Sequence, residues 1–210
     1  MSETFQFVAE RHEYLQNGQR VPSVTQILQA VGLVDYSRIP DTILEHKAEI
    51  GTAAHAACHY FDENDLVLES VDAEVLPYVR AWEAFRRESA FVPRLLEQRG
   101  VALLNGMKYG YTLDREGHWR ERDVLLEIKC TAGVELSWGP QLAAYETALR
   151  QIDGLRRQRI VVHLLPTGKY SLLTFDQIAD YRVFEWALGL ETWRRMKGRT
   201  NGNTTDHHAR

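Results

Sequence analysis

Asp114, Glu127, Lys129, Gln141 and Tyr145 fall within 32 residues of one another, and their types and spacing suit hydrolysis of a phosphodiester. In the run Val124 to Cys130 (VLLEIKC), side chains alternate in direction as along any strand. Leu126 and Ile128 then point to one face, and Glu127 and Lys129 share the other. Charges at the end of an apolar strand are costly to bury unless they are paired or hold a metal. A second strand carrying Thr112, Leu113 and Asp114 folds back through a polar turn and can set Asp114 beside Glu127. Two carboxylates and an amine make a Mg2+ or Mn2+ site with a charged group left for water or phosphate. A metal-dependent nuclease needs this arrangement.

Other charged residues near this stretch read differently. Asp123 has the parity of Glu127 but lies four residues away, about 13 Å along a strand, too far to share a metal easily. Gln141 and Tyr145 are four apart on one helix face, with Leu142 and Leu149 for packing. His55 and His59 have the same spacing, but no glutamate follows His55 as a zinc hydrolase motif requires. Arg156, Arg157 and Arg159 read as a solvated basic loop rather than a DNA contact. Cys58 and Cys130 are far apart in sequence and suggest no disulfide framework, and Cys130 reads as a small buried hydrophobe.

Positioning these groups requires a set of elements that the sequence also marks. Strand character at 5–8 and 11–15 is followed by a turn at Asn17-Gly18. Ser23 or Thr25 caps a helix through about Val31, closed by Gly32. Pro40-Asp41 opens a second helix, which Gly51 is expected to interrupt or end before His55. A third, over 72–90, places Val75, Val79, Trp82 and Phe85 at helical spacing, with Pro77 near its start. Strands are expected from Phe91 to Cys130, punctuated by Asn105-Gly106 and Gly117, then a helix from about Gly139 to Gln151. Strands at 158–165 and 169–174 and a helix over 177–196 complete the pattern. The expected architecture is one α/β (mixed α+β) domain over 1–198. It comprises a helical part at 20–90, a sheet core at 91–175 flanked by helices, and the last helix, with a polar, disordered tail at 199–210.

The order Asp114, Glu127-Ile128-Lys129, Gln141, Tyr145 resembles the PD-(D/E)XK nuclease superfamily, in particular its RecB-like exonuclease branch. Val21 to Leu28 (VPSVTQIL) is similar to the opening segment of phage-type members and of the mitochondrial genome maintenance exonuclease. Gly51 to His55 (GTAAH) is similar to the branch's first motif. The resemblance covers roughly residues 20 to 175 and implies a restriction-endonuclease-like mixed sheet. It also implies a metal-proximal role for His55 and an accessory acidic residue at Glu97, beside the ligands Asp114 and Glu127. Gln141 is implied to orient substrate or backbone, while Tyr145 is either part of the site or a packed core aromatic. The superfamily's proline is absent, Leu113 preceding Asp114, and two cysteines cannot supply the four-cysteine cluster of some relatives.

The chain of 210 residues, 44% hydrophobic and 26% charged, is an ordinary composition for a globular protein. Its formal charge of −4 argues against a protein that coats nucleic acid, though not against local arginines along a groove. No signal peptide or membrane span is read, and a reducing cytoplasm, bacterial or phage-infected, is the expected compartment. The leading expectation is a Mg2+- or Mn2+-dependent DNA exonuclease of phage recombination or repair, with DNA and a recombination protein as partners. A structure-specific endonuclease on the same fold and a catalytically silent binding module are the alternatives.

Overall fold

The computed structural model describes residues 4–37 and 39–202. Three short strands, β1 (Phe5–Val8), β2 (Glu13–Gln16) and β3 (Gln19–Val21), form an antiparallel ribbon. Asn17 and Gly18 turn between β2 and β3 with φ of 53° and 73°, the backbone a two-residue hairpin requires. Ser23 then caps α1 (Val24–Ala30) through a reciprocal pair, its Oγ accepting from Gln26 N while its own N–H donates to the Gln26 side chain.

Helix α2 (Asp41–Asp62) runs unbroken through Gly51, contrary to the expected interruption. A mid-helix glycine costs only about 1 kcal/mol. The apolar face of Ile50, Ala54, Ala57 and Cys58 on either side of it is buried and outweighs that cost. Helix α3 (Leu76–Ser89) starts with Pro77 in its first turn, where no intrahelical N–H bond is lost.

The main sheet has the order β4 (Val92–Leu104), β5 (Met107–Trp119), β6 (Arg122–Lys129), β7 (Gln158–Leu164), β8 (Tyr170–Thr174). Every pairing is antiparallel except β6 with β7, which α4 (Trp138–Asp153) connects. Helix α5 (Ala179–Gly202) closes the chain and runs past the expected end at 196. Residues 203–210, with His207 and His208 and the end of the expected tail, lie outside the described residues. The expected mixed sheet flanked by helices is found, preceded by the N-terminal ribbon.

Gly117 is not a turn. It sits inside β5, where an added Cβ would lie 2.2 Å from the Val92 carbonyl oxygen, so it serves a close strand approach. The β5–β6 turn falls instead at Arg120-Glu121, both at positive φ.

The central strands are buried on both faces. Val124, Leu126 and Ile128 of β6, with Ile160 and Val162 of β7, pack against α2 and α3 through Cys58, Val79, Trp82 and Phe85. On the other face Leu125, Val161 and Tyr109 meet α1, α4 and α5 through Ile27, Leu142 and Phe184. Helix α4 lies between the sheet and α5, and all its residues from Trp138 to Leu149 are buried.

Ionic groups lock this frame. Asp62 at the end of α2 receives Arg115 Nε at 2.6 Å and also Arg86 and Trp82 Nε1, joining two helices to β5. Glu116 takes Arg94 and Arg157. The basic run before β7 is therefore not a solvated loop. Arg157 is 7% exposed and pairs with Glu116 and Asp153, and Arg159 is 3% exposed, pairs with Asp180 and lies over the Tyr181 ring. Only Arg156 of the three is exposed. Charge density alone does not distinguish such buried pairs from a hydrated face.

Candidate active site

The site forms where β6 parts from β5. Their ladder runs from Trp119–Arg122 to Arg115–Leu126 and stops there. One residue further along, the Asp114 side chain takes the place of a strand partner: its Oδ2 accepts from Ile128 N at 2.7 Å. Beyond the fork the freed edge of β5 meets the N-terminal segment, Gly110 N donating to Pro22 O at 2.8 Å and Ser23 bridging Gly110. Tyr14 packs directly against Gly110, where a Cβ would come within 2.3 Å of its ring. The fork thus has a fixed shape, and Asp114 stands at its apex.

Alternation along β6 sends Glu127 and Lys129 toward α4, as expected. Glu127 Oε1 accepts from Lys129 Nζ at 3.2 Å and from Gln141 Nε2 at 2.9 Å. Lys129 Nζ also donates to Gln141 Oε1 at 3.0 Å, so Gln141 ties the carboxylate to the amine. The other N–H of Gln141 Nε2 goes to Tyr145 Oη at 2.9 Å. Tyr145 is buried and holds Gln141, which makes it a packed aromatic and a part of the site at once. From α2, half-buried His55 reaches across the fork, its Nδ1 3.3 Å from Asp114 Oδ1. Five of the expected site residues therefore gather with Asp114: His55 contacts it, and Glu127, Lys129, Gln141 and Tyr145 form one hydrogen-bonded set whose charges act on it.

Glu97 does not join that group. The β4–β5 register sets it across from Asp114, between the pairs Leu96–Arg115 and Gln98–Leu113. Its backbone has φ of 47°, and its carboxylate is taken by Arg99 at 2.6 Å. Asp123, at the start of β6, is held by Arg94. His59 pairs with Glu63 on its own helix.

The electrostatics of the group are unbalanced. Burial raises the pKa of Glu127 and the Asp114 charge raises it further, up to about 7 against the pull of Lys129 and His55. Burial also opposes ionisation of Asp114, but the charge and hydrogen bond of His55, with Lys129 and Arg115, hold it well below the usual carboxylate range. Burial works against the cations too, yet the Asp114 charge and hydrogen bond raise His55, and Glu127 and Asp114 raise Lys129. Glu127 Oε2 is buried with no hydrogen-bond partner. An unsatisfied buried carboxylate oxygen is costly, and here the Asp114 charge bears on the same carboxylate. Among the described residues no three His, Cys, Asp or Glu side chains form a ready metal cage. Asp114 and Glu127 nevertheless offer the hard oxygen donors that Mg2+ or Mn2+ takes, with water completing the shell.

Several contributors carried no sequence signal. Tyr14 is buried, its hydroxyl 2.6 Å from Thr112 Oγ1 on the strand bearing Asp114. The imidazole of His163, paired across from Lys129, meets Thr131 O at 2.7 Å and anchors the chain after β6. Cys58 and Cys130 are both free thiols packed on the α2 side of the sheet, their pKa values raised by burial. Among the described residues no helix is long and apolar enough to cross a membrane.

No family model matches the chain, and no curated protein matches it. Among solved structures it is similar to that of a "Putative exonuclease" from Eubacterium rectale, with a TM-score of 0.54 and 10% identity over 72% of this chain and 68% of that one. At that identity the likeness is one of fold. A second structure, SSO0001, matches with a TM-score of 0.34 and 17% identity over 54% of this chain and 56% of that one.

Proposed function

We propose that this chain is a Mg2+- or Mn2+-dependent deoxyribonuclease that removes nucleotides from DNA ends, in recombination or repair of the phage type. The observation that carries the reading is Glu127 Oε2, buried and without a partner beside the Asp114 carboxylate. Two buried carboxylates that repel each other call for a cation, and Lys129, engaged on Oε1, does not reach the free Oε2. Asp114 and Glu127 would hold the metal. When bound, it would polarise a phosphate oxygen and acidify a water for in-line attack.

The remaining roles belong to the chain's own groups. His55 fixes the orientation of the Asp114 carboxylate through its 3.3 Å contact. The Lys129 ammonium donates toward the attacking water or the phosphate oxygen on which negative charge grows. Gln141 keeps Lys129 and Glu127 at a set separation, and Tyr145 holds Gln141 in place. Glu97 would join only by giving up Arg99, and the proposed ligand set is Asp114 and Glu127.

Two features support action at ends. Helix α2 brings His55 to Asp114, the segment leading into α1 lies on the freed edge of β5, and both carboxylates are buried, so the proposed ligand pair is not on an open face. The fold is also shared with a protein named as an exonuclease. The test is loss of covalently closed circular plasmid beside its linear form, with Mg2+, with Mn2+ and with chelator. Linear DNA should be shortened from its ends and the circle spared, with no cleavage by Glu127→Ala. Equal loss of both forms would replace the exonuclease with an endonuclease. Loss of neither, with metal bound, would leave a binding module.

A further inference from the structure

Beyond Lys129 the site opens into a cavity of about 160 Å3, floored by Lys129 and Gln141 and walled by Tyr36, Trp138, Gln29 and Glu135. Its chemistry differs from that of the metal pair. Glu135 would repel a phosphate, and the Lys129 charge is already shared with Glu127 and Gln141. What remains is two aromatic rings, one of them the exposed Tyr36, with an amide and a carboxylate at their edges. Ser137 Oγ donates to Glu135 Oε2 at 3.3 Å, leaving Oε1 as an acceptor facing no donor among the described contacts. Burial, then the Glu135 charge, raise the Tyr36 pKa, and Lys129 pulls it down, which sets all three close together.

We propose that this cavity is a nucleobase pocket, holding the unpaired base next to the scissile phosphate and favouring a base that presents an exocyclic amine. The proposal rests on the nuclease reading of the adjoining site. A flat, uncharged, polar ring satisfies every wall: its face stacks on Tyr36, and its amine donates to Glu135. Cytosine offers such an amine, whereas thymine presents a carbonyl oxygen at the same position and meets the Glu135 carboxylate with repulsion. A base reaches the pocket only when it is out of a duplex, so the substrate end must be single-stranded or frayed.

Two measurements on the full chain separate the outcomes. Deoxycytidine and thymidine, which lack a phosphate, are titrated into the protein by NMR. In parallel, cleavage of oligo(dC) and oligo(dT) of equal length is followed in Mn2+. Deoxycytidine should bind saturably, and the KM for oligo(dC) should lie about tenfold below that for oligo(dT), the discrimination one good base contact provides. Glu135→Ala should bring the ratio toward one, and Tyr36→Ala should weaken both substrates. Tyr36 is exposed and Glu135 half-buried, and circular dichroism checks that each variant is folded. If DNA is cut but neither nucleoside binds and the two KM values agree, the pocket is refuted and the nuclease reading stands. If deoxycytidine binds and no DNA is cut, the nuclease reading falls and the pocket remains.

Discussion

Replacing Glu127 with glutamine should make the metal-free protein more stable at pH 8 and leave it nearly unchanged at pH 5. The buried carboxyl moves from its ordinary 4.5 to about 7 in the folded chain. The native state therefore keeps a proton that the unfolded chain has released. Its stability is full below 4.5, declines as pH rises, and has lost its whole contribution once pH passes about 7. At 1.36 kcal/mol per pH unit the loss comes to about 3 kcal/mol, or about 6–12 °C in melting temperature for a chain of this size. His55, also raised, loses stability in the same direction above its ordinary value. Asp114 acts oppositely, but only as pH falls below the usual carboxylate range, outside the window measured. Glutamine preserves an oxygen to accept from Lys129 and Gln141 and cannot ionise. Thermal unfolding from pH 5 to 8 in chelator, for wild type and Glu127→Gln, reads the difference directly. Parallel pH profiles for the two proteins would refute the account of a strained, proton-holding carboxylate. Mn2+ at pH 8 should raise the wild-type midpoint by mass action and move the variant little.

Alanine at Asp114, Glu127 or Lys129 should each lower the rate of DNA hydrolysis by about a hundredfold or more, measured under single turnover in Mn2+. Tyr145→Phe should cost far less activity than Gln141→Ala, because the phenol only accepts from Gln141 while Gln141 bonds both Glu127 and Lys129; equal losses in kcat would argue for a direct role of the phenol. Asp62→Ala leaves buried Arg115 and half-buried Arg86 without their carboxylate and should destabilise the fold by about 3–5 kcal/mol in urea unfolding.

How much of this was legible in the sequence depended on whether local pattern or distant contact set the outcome. Alternation alone placed Glu127 and Lys129 on one face of β6, and helical spacing placed Gln141 above Tyr145. The neighbours Arg115 and Glu116 were opaque: they follow Asp114 in an apparently polar stretch, yet both are buried by partners from α2, α3 and the segment before β7. Arg157 and Arg159 read as a solvated loop for the same reason, although both are buried in ion pairs. Gly51 misled because local propensity is weak against a packed helix face. The role of Asp114 as a stand-in for a strand partner was invisible, since it depends on where β5 and β6 separate, which no residue type announces.

The separation has a consequence for association between molecules. A sheet edge left without a partner is a template for pairing with a second chain. From Met107 to Leu113 the side of β5 that faces the fork has no ladder to β6, and among the described residues the Pro22–Ser23 segment pairs with it at Gly110. Proline has no N–H to extend that contact into a further ladder, so the cover itself ends the sheet. The Pro22–Ser23 segment is thereby a guard against edge-to-edge self-assembly as well as a support for the fork. A chain lacking it should precipitate or form oligomers before its active site could be assayed at all.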